Sequence, residues 1–247
     1  MGTTIGIVEI PAIEADRRHR AERRFAGQSL LEFVVRRVTE AQLIDEVVVV
    51  AADDPRSRQL LALAPPDVRT LVCEEADALA RFATALRSGD FDAAVRVSLS
   101  SPFVDPVLID RLVATGESQP NCDYVSYGCH RGTALLSNVG LFAEWCRADA
   151  VFRADLTATL TSDRANSTVF IHSHPEKFNL RIVPVPPQLD RDDFRLTIDV
   201  EEDWEHAQVI YEALGIEGLE WQRIAGLLDN QPQIRERMAR LNHAVPG

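Results

Sequence analysis

Apolar residues are arranged in two alternating ways along the first half of the chain. Residues 47–52 form a continuous, largely β-branched run, which is typical of a strand buried on both faces of a parallel sheet. Residues 28–43 repeat apolar positions every three or four residues, which indicates an amphipathic helix. The whole pattern predicts strands at 4–10, 47–52, 68–73, 93–99 and 123–127, separated by helices at 28–43, 55–63, 76–86 and 106–113. Because the connections are short, we expect an open, mostly parallel α/β sheet.

Acidic residues before proline mark two of the predicted helix starts. Asp105 precedes Pro106, which predicts an N-cap followed by proline in the first helical position. Asp53 and Asp54 stand before Pro55 in the same way. That pair could bind a metal, but capping is the simpler interpretation.

The second half of the chain has a less regular pattern. It predicts strands near 134–136, 168–172, 180–185 and 194–198, and helices near 141–147, 152–161, 221–228 and 232–241. Asp199 is expected to cap a helix that begins at Val200 and ends at Gly215, with Glu202 completing a capping box. The simplest organisation is one domain over 1–247: a first half at 1–127, an inserted lobe at 128–193, and the last core strand with the C-terminal helices at 194–247.

Charge and composition exclude several classes of function. The chain carries one Lys, Lys177, against 25 Arg, and its net charge is −12. Arginine stays protonated and cannot act as a base, so lysine chemistry has one candidate, which lies far from any Gly-rich loop. The acidic balance argues against a nucleic-acid binder, which needs a basic face.

The sequence carries no targeting or membrane signal that we recognise. Its first ten residues lack the basic and long apolar regions of a signal peptide, and the run at 47–52 is too short to span a bilayer. The four cysteines lack metal-site spacing, so we expect reduced thiols and a cytoplasmic location. His172 and His174 would share one face of a strand and could hold zinc, but no third ligand is identifiable.

Five segments, taken in order, resemble the spore-coat-polysaccharide-type cytidylyltransferases, relatives of the enzymes that activate KDO and other nonulosonic sugars with CTP. They are Gly-Gln-Ser-Leu-Leu-Glu at 27–32, Asp-Ala-Leu-Ala-Arg-Phe at 77–82, Arg-Val-Ser-Leu-Ser-Ser-Pro-Phe-Val-Asp-Pro at 96–106, His-Pro-Glu-Lys-Phe at 174–178 and Arg-Leu-Thr-Ile-Asp-Val-Glu-Glu-Asp at 195–203. The third is similar to the family pattern Arg-x-Thr-Gly-Asp-x-Pro-x-x-Asp-Pro.

The resemblance implies a fold, a reaction and partners. The fold is the Rossmann-like α/β/α sandwich of nucleotide-diphospho-sugar transferases, with the nucleotide bound by residues 1–127. The reaction is transfer of a nucleotidyl group from CTP, with Mg²⁺, to a sugar acid or sugar phosphate, so CTP or CMP would be a ligand. A homodimer is also implied, with the lobe at 128–193 contributing to its interface.

The family's functional positions are matched unevenly in this sequence. The family's Gly-rich phosphate loop corresponds to residues 11–20, which contain no glycine, and Arg20 stands where the family has Lys. Arg17 and Arg20 would then bind phosphate by fork-shaped contacts. Ser100 occupies the position of the first metal-binding Asp, and Asp199 retains the second. The family's Glu-His-Val-Thr is replaced by Ala-Asn-Ser-Thr at 165–168.

Two more arginines, Arg81 and Arg96, match family positions near the nucleotide. Each of these assignments has a structural alternative. Asp199 could simply cap a helix, Arg81 and Arg96 could be ion-paired or lie at the surface, and the arginines near position 20 could form a solvated loop. The candidate catalytic residues are Arg20 and Ser100, the candidate nucleotide ligands are Arg17, Arg20, Arg81 and Arg96, and the candidate metal ligand is Asp199.

The altered positions favour one functional hypothesis over two others. We expect a diverged cytidylyltransferase-like protein of polysaccharide or nucleotide-sugar biosynthesis, with impaired or altered catalysis. The alternative is an active CTP-dependent enzyme that forms a CMP-sugar with Mg²⁺. A glycosyltransferase is less favoured, because the Asp-x-Asp motif of that class is absent at 99–101, which read Leu-Ser-Ser.

Overall fold

A seven-stranded sheet forms the centre of the computed structural model, which describes residues 2–10, 21–128 and 136–244. In chain order the strands are β1 (Thr4–Glu9), β2 (Arg24–Phe25), β3 (Gln28–Ser29), β4 (Glu46–Ala52), β5 (Arg69–Cys73), β6 (Ala93–Ser98), β7 (Tyr124–Gly128), β8 (Glu144–Arg147) and β9 (Leu180–Pro184). Strands β2 and β3 pair only with each other, as a small antiparallel hairpin.

Helices connect these strands and cover the sheet. They are α1 (Leu30–Thr39), α2 (Pro55–Leu61), α3 (Ala78–Arg87), α4 (Pro106–Glu117), α5 (Leu136–Val139), α6 (Ala148–Thr157), α7 (Thr161–Arg164), α8 (Val169–Ser173), α9 (Glu201–Leu214), α10 (Trp221–Asp229) and α11 (Pro232–Ala244), with single 3₁₀ turns at Pro187–Leu189 and Ile216–Gly218. No helix within the described ranges is both long and apolar enough to cross a bilayer.

The strand order across the sheet is β5-β4-β1-β6-β8-β7-β9. Each pair of neighbours is parallel except where β8 lies, since β8 runs antiparallel to both β6 and β7. This confirms the predicted mostly parallel α/β sheet. The chain builds outward from β1 through β4 to β5 and then crosses to β6 on the other side of β1. Ligands of open α/β sheets bind at such a switch point, beside the carboxyl ends of the strands.

Both faces of the sheet are buried, which explains the continuous apolar runs of its central strands. Val8 and Val49 belong to the core on one face, where α1 and α4 pack. Ile5 and Ile7 belong to the core on the opposite face, together with Phe82 of α3. The alternation follows from the two-residue period of a strand, which directs successive side chains to opposite faces.

Side-chain caps fix where several helices begin. Ser29 accepts the backbone N–H of Glu32 at the start of α1. Asp54 accepts two N–H groups at the start of α2, and Asp105 accepts two at the start of α4, as the sequence predicts for both positions. Each cap satisfies helix donors that otherwise have no partner inside the helix.

Several predictions in the second half of the chain are wrong. Residues 144–147, expected in a helix, form strand β8, because they pair with β6 on one side and β7 on the other. Residues 168–172, expected in a strand, contribute to helix α8. Residue 136, expected at the end of a strand, begins helix α5, and residues 134–135 lie outside the described part.

The segment at 194–198 is buried and extended but is not a strand of the sheet. Its backbone bonds to two other parts of the chain: the N–H of Leu196 donates to the carbonyl of Asn138 at 3.0 Å, and that of Ile198 donates to the carbonyl of Ser100 at 2.8 Å. The predicted strand is therefore replaced by bonds that tie this segment to the end of β6.

Helix α9 begins one residue later than the sequence predicts. Its first residue is Glu201, and Val200 occupies the N-cap position. Asp203, not Glu202, reaches back: its Oδ2 accepts the N–H groups of Asp199 and Val200 at 2.9 and 3.0 Å. Asp199 thus contributes a backbone donor to this cap, and its carboxylate is engaged elsewhere.

Residues 128–193, predicted as an inserted lobe, contribute to the main sheet in the described part. They add strands β8 and β9 and helices α5 to α8. The division into 1–127, 128–193 and 194–247 stays a prediction.

Candidate functional site

The carboxyl ends of β1 and β6 lie side by side at the switch point of the sheet. Glu9 at the end of β1 is in register with Ser98 at the end of β6. Two residues past β6, the carbonyl of Ser100 accepts the N–H of Ile198. The fold therefore brings Ser100 close to Asp199 although the two are far apart in sequence.

Ser100 is held by a hydrogen bond between two serine hydroxyls. Its Oγ lies 2.9 Å from Oγ of Ser98, and its backbone N–H donates to the same Oγ at 3.3 Å. Ser100, which the sequence predicts at the position of the family's first metal carboxylate, thus carries a neutral hydroxyl bonded to Ser98. A neutral hydroxyl is a poor Mg²⁺ ligand compared with a carboxylate.

The carboxylate of Asp199 contacts a guanidinium and a hydroxyl. Its Oδ2 accepts a hydrogen bond from Oγ1 of Thr197 at 2.9 Å and lies 3.2 Å from Nη2 of Arg195. Arg195 is only 2% exposed and also binds Asp203, through Nε at 2.7 Å and Nη2 at 3.0 Å. Asp199 is therefore part of a charge-paired network with one face left partly open, since its side chain is 28% exposed.

A second network lies where β1, β6 and β8 meet. Arg96 and Glu144 face each other in the β6–β8 register, and Nη1 of Arg96 donates to Oε2 of Glu144 at 2.8 Å. Nε of Arg96 also lies 3.3 Å from Oε2 of Glu9. Hydroxyls complete the set: Tyr124 and Thr168 donate to Glu144, and Ser167 donates to Glu9.

Charge pairing controls the protonation of this Arg96 network. Burial alone would lower the pKa of Arg96, but the carboxylates of Glu144 and Glu9 outweigh it and raise that pKa. Burial also opposes ionisation of Glu144, yet the Arg96 charge and the Tyr124 hydroxyl hold the pKa of Glu144 below its ordinary value. Burial and the nearby Glu144 charge raise the pKa of Tyr124. Arg96 is thus a permanent cation balanced by two carboxylates.

The other candidate arginines have different surroundings. Nη1 of Arg81 donates to the carbonyls of Glu75 and Ala76 at 3.1 and 2.8 Å, and the residue is 5% exposed. It therefore braces the loop before α3. Arg17 and Arg20 lie outside the described residues. Their roles, and those of Arg81 and Arg96 toward a nucleotide, stay predictions, although for Arg96 the ion-paired alternative is the arrangement observed.

No metal cluster is present in the part of the chain that the structure describes: no three His, Cys, Asp or Glu side chains there are placed to hold an ion. His172 and His174 do not share a strand face, because His172 lies in α8 and His174 follows that helix. Nδ1 of His174 is 2.9 Å from the carbonyl of Phe170, and the two rings stack at 4.2 Å.

Comparison with known proteins decides the family. A sequence model described as cytidylyltransferase matches residues 21–229. This chain belongs to the cytidylyltransferase family. Among curated relatives, the chain is 24% identical over 234 residues to an uncharacterized protein of Methanocaldococcus jannaschii, covering 94% of this chain and 92% of that protein. It is 23% identical over 199 residues to the spore coat polysaccharide biosynthesis protein SpsF of Bacillus subtilis, covering 78% of this chain and 80% of that protein.

Solved structures of similar fold agree with this family. A cytidylyltransferase from Leptospira borgpetersenii superposes with a TM-score of 0.82 at 18% identity, covering 94% of this chain and 95% of that one. The CMP-KDO synthetase complexed with CTP superposes with a TM-score of 0.65 at 12% sequence identity, covering 85% of this chain and 99% of that one. A manganese complex of Rv0371c from Mycobacterium tuberculosis superposes with a TM-score of 0.60 at 13% sequence identity, covering 84% of this chain and 98% of that one. The fold is therefore that of the nucleotide-diphospho-sugar transferases, as the sequence predicts.

Sequence reasoning missed Glu9 and Glu144 as partners of Arg96. Glu9 could be found, because an acidic residue ends an otherwise apolar strand. Glu144 could not, because its partner is set by the antiparallel pairing of β8, and the sequence around it predicts a helix.

Proposed function

We propose that this chain is a diverged cytidylyltransferase-like protein of polysaccharide or nucleotide-sugar biosynthesis, in which Mg²⁺-dependent catalysis is impaired or altered. One observation carries the proposal: the backbone N–H of Ile198, the residue before Asp199, donates to the carbonyl of Ser100. The resemblance assigns Ser100 and Asp199 to the family's two metal carboxylates, and only Asp199 is acidic. The family membership and the likeness to a curated polysaccharide biosynthesis protein support the biosynthetic role.

The donor set in the described residues does not fit Mg²⁺. This ion prefers several oxygen ligands in near-octahedral geometry, commonly with one or two carboxylates. Here one carboxylate, Asp199, is offset by Arg195, and Ser100 is neutral. A fold neighbour holds manganese, which is consistent with a divalent metal in this group of folds.

Nucleotidyl transfer depends on positioning the reactants and stabilising charge on phosphate oxygens. We infer that the carboxyl end of β1 faces a nucleotide, CTP or CMP, and a structural neighbour solved in complex with CTP supports a cytidine nucleotide as the ligand. Arg17 and Arg20 would supply cationic contacts to the phosphates. The second ligand would be a sugar acid or sugar phosphate. A cytoplasmic homodimer is the expected assembly.

The proposal is tested by ligand binding and by turnover. Thermal unfolding is measured with CTP, CDP and CMP, with and without Mg²⁺, and pyrophosphate release from CTP is followed with a panel of sugar acids and sugar phosphates. We expect no Mg²⁺-dependent shift with CTP and only background release. Robust Mg²⁺-dependent release would establish the alternative, an active enzyme that forms a CMP-sugar.

A single substitution tests the metal position itself. Ser100→Asp restores the family carboxylate next to Asp199, and we expect it to create a Mg²⁺-dependent thermal shift of several degrees with CTP. Ser162→Asp is the matched control, because it makes the same change at an exposed position in the first turn of α7. Equal behaviour of the two variants would contradict the assignment of Ser100 to the metal position.

A further inference from the structure

A single buried amide in the last helix joins several parts of the chain near Asp199. Nδ2 of Asn242 donates to the carbonyls of Asp192 and Phe194 at 2.9 and 3.0 Å. Its Oδ1 accepts from Nδ2 of Asn138 at 3.1 Å and lies 3.4 Å from Nη1 of Arg195. Asn242 is 7% exposed, so these bonds form away from water.

The contact between Asn242 and Arg195 leads directly to Asp199. Oδ1 of Asn242 lies beside Nη1 of the Arg195 guanidinium. The other two nitrogens of that group, Nε and Nη2, donate to the carboxylate of Asp203. Nη2 of Arg195 also contacts Asp199, while Asp203 accepts the Asp199 N–H. Asp199 is therefore held at its carboxylate by Arg195 together with Thr197, and at its backbone N–H by Asp203, which Arg195 also binds.

The chemistry of these bonds requires an amide at position 242. Two carbonyls need two N–H donors, and the guanidinium and the second amide need an acceptor. Asparagine supplies all of these on one short side chain. Aspartate offers no donor when ionised, and alanine or leucine would leave buried polar groups unpaired, which costs stability.

We infer that Asn242 is a positioning residue for Asp199, so that helix α11 completes the candidate site. Helix α11 begins at Pro232, beyond residue 229 where the family match ends. The inference rests on the proposed function only in taking Asp199 as a residue of the site. Outer-shell partners of this kind set the orientation of the groups that touch a ligand.

Hydrogen exchange tests the positioning without reference to any ligand. Asn242→Ala is compared with Met238→Ala, which truncates a fully buried side chain of the same helix. Urea is adjusted until the two variants have equal global stability. We expect the amides of Asp199 and Val200 to exchange faster in Asn242→Ala than in Met238→Ala. Equal exchange at these amides would overturn the inference.

Metal affinity adds a readout that a loss of stability alone does not move. In the Ser100→Asp background, Mn²⁺ binding is measured by electron paramagnetic resonance. We expect Asn242→Ala to weaken Mn²⁺ binding roughly tenfold, and Met238→Ala to leave it unchanged. Unchanged binding in both would overturn the inference. Failure of Ser100→Asp itself to bind Mn²⁺ would count against the metal assignment in the proposed function, and hydrogen exchange would then decide the role of Asn242 alone.

Discussion

The carboxylate of Asp105 accepts the backbone N–H of Trp221 at 3.0 Å, across 116 positions of sequence. Oδ2 makes this bond, while Oδ1 accepts the N–H groups of Val107 and Leu108 at 3.0 and 3.1 Å. One side chain, 2% exposed, therefore caps α4 and also satisfies the first residue of α10. The sequence predicts only the first of these roles.

Loss of the Asp105 carboxylate is expected to destabilise the protein more than loss of an ordinary cap. Asp105→Ala removes three bonds to backbone donors, including the partner of the half-buried Trp221 N–H, so we expect a loss of about 3 kcal/mol in the free energy of unfolding. Asp54→Ala, at the half-buried cap of α2, should cost about 1 kcal/mol. Urea denaturation measures both, and equal losses would show that the bond to Trp221 contributes nothing.

Gly140 is a position where a side chain cannot be accommodated. Its φ is +68°, and an added Cβ would lie 2.6 Å from the carbonyl carbon of Leu196 and 2.7 Å from the nitrogen of Thr197. Gly140→Ala should therefore destabilise the protein by about 2 kcal/mol or more and displace the segment that leads to Asp199.

Gly226 provides the matched control for that substitution. It lies inside helix α10, and an added Cβ meets no atom within 4 Å. Gly226→Ala should stabilise the protein by up to about 1 kcal/mol, because alanine is the better helix former. Thermal unfolding distinguishes the two, and a neutral Gly140→Ala would contradict the close approach at Leu196.

His206 is expected to make stability depend on pH between neutral and mildly acidic conditions. The residue is 3% exposed, and neither ring nitrogen has a hydrogen-bond partner among the described residues. Burial lowers the pKa of His206, and the positive charge of Arg237 in α11 lowers it further. These effects outweigh the carboxylates of Glu202, Asp203 and Glu205 on the same helix, which raise the pKa. The unfolded chain therefore binds a proton at His206 more readily than the folded chain does. The stability that the neutral, buried ring contributes is present above the ordinary pKa of 6.5, and it is lost as the pH falls toward the pKa of His206 in the folded protein.

The measurement is the change in unfolding free energy between about pH 7.5 and about pH 5.5. His206→Gln should lose less stability over this interval than the wild type, because glutamine takes up no proton. His243→Gln, at an exposed position of α11, should behave as the wild type does. If all three proteins lose the same stability, His206 is not the group responsible.

Arg96 should matter most where the carboxylates around it are ionised. Arg96→Met leaves Glu9 and Glu144 without their cation, so we expect a loss of about 3 kcal/mol near neutral pH. The loss should shrink in acid, because Arg96 holds the pKa of Glu144 below its ordinary value and this stabilisation disappears once Glu144 is protonated. Arg36→Met breaks the exposed pair with Asp67 and should have little measurable effect. Denaturation at several pH values tests both, and a pH-independent loss would contradict the charge argument.

The first half of the fold follows from local sequence signals. A continuous apolar run such as 47–52 has few alternatives to a buried strand, and Asp105 before Pro106 fixes a helix start through its own chemistry. The second half depends on distant partners. Trp145 and Cys146 lie in a strand because they pair with β6 on one side and β7 on the other, and no local sequence pattern predicts that pairing. Likewise, the backbone N–H groups of Leu196 and Ile198 donate to the carbonyls of Asn138 and Ser100 instead of to a neighbouring strand.

The candidate site divides in the same way. Ser100 and Asp199 are found from motifs, because each is part of a recognisable segment. Their connection to Asn242, by contrast, depends on helix packing, and an asparagine near the C-terminus carries no local signal of that role.

Strand β8 has a mechanical consequence for the sheet. Among the residues that the structure describes, the four parallel strands on one side (β5, β4, β1, β6) and the two on the other (β7, β9) are joined within the sheet only through Glu144–Arg147. Arg96 and Glu144 face each other across that junction. A displacement at the β6–β8 edge would stretch or shear this ion pair, whereas one at the β7–β8 edge would break the hydrogen bond that the Tyr124 hydroxyl donates to Glu144. Glu144, bonded to Arg96 on one side and to Tyr124 on the other, therefore joins the two blocks of strands through its side chain as β8 joins them through its backbone.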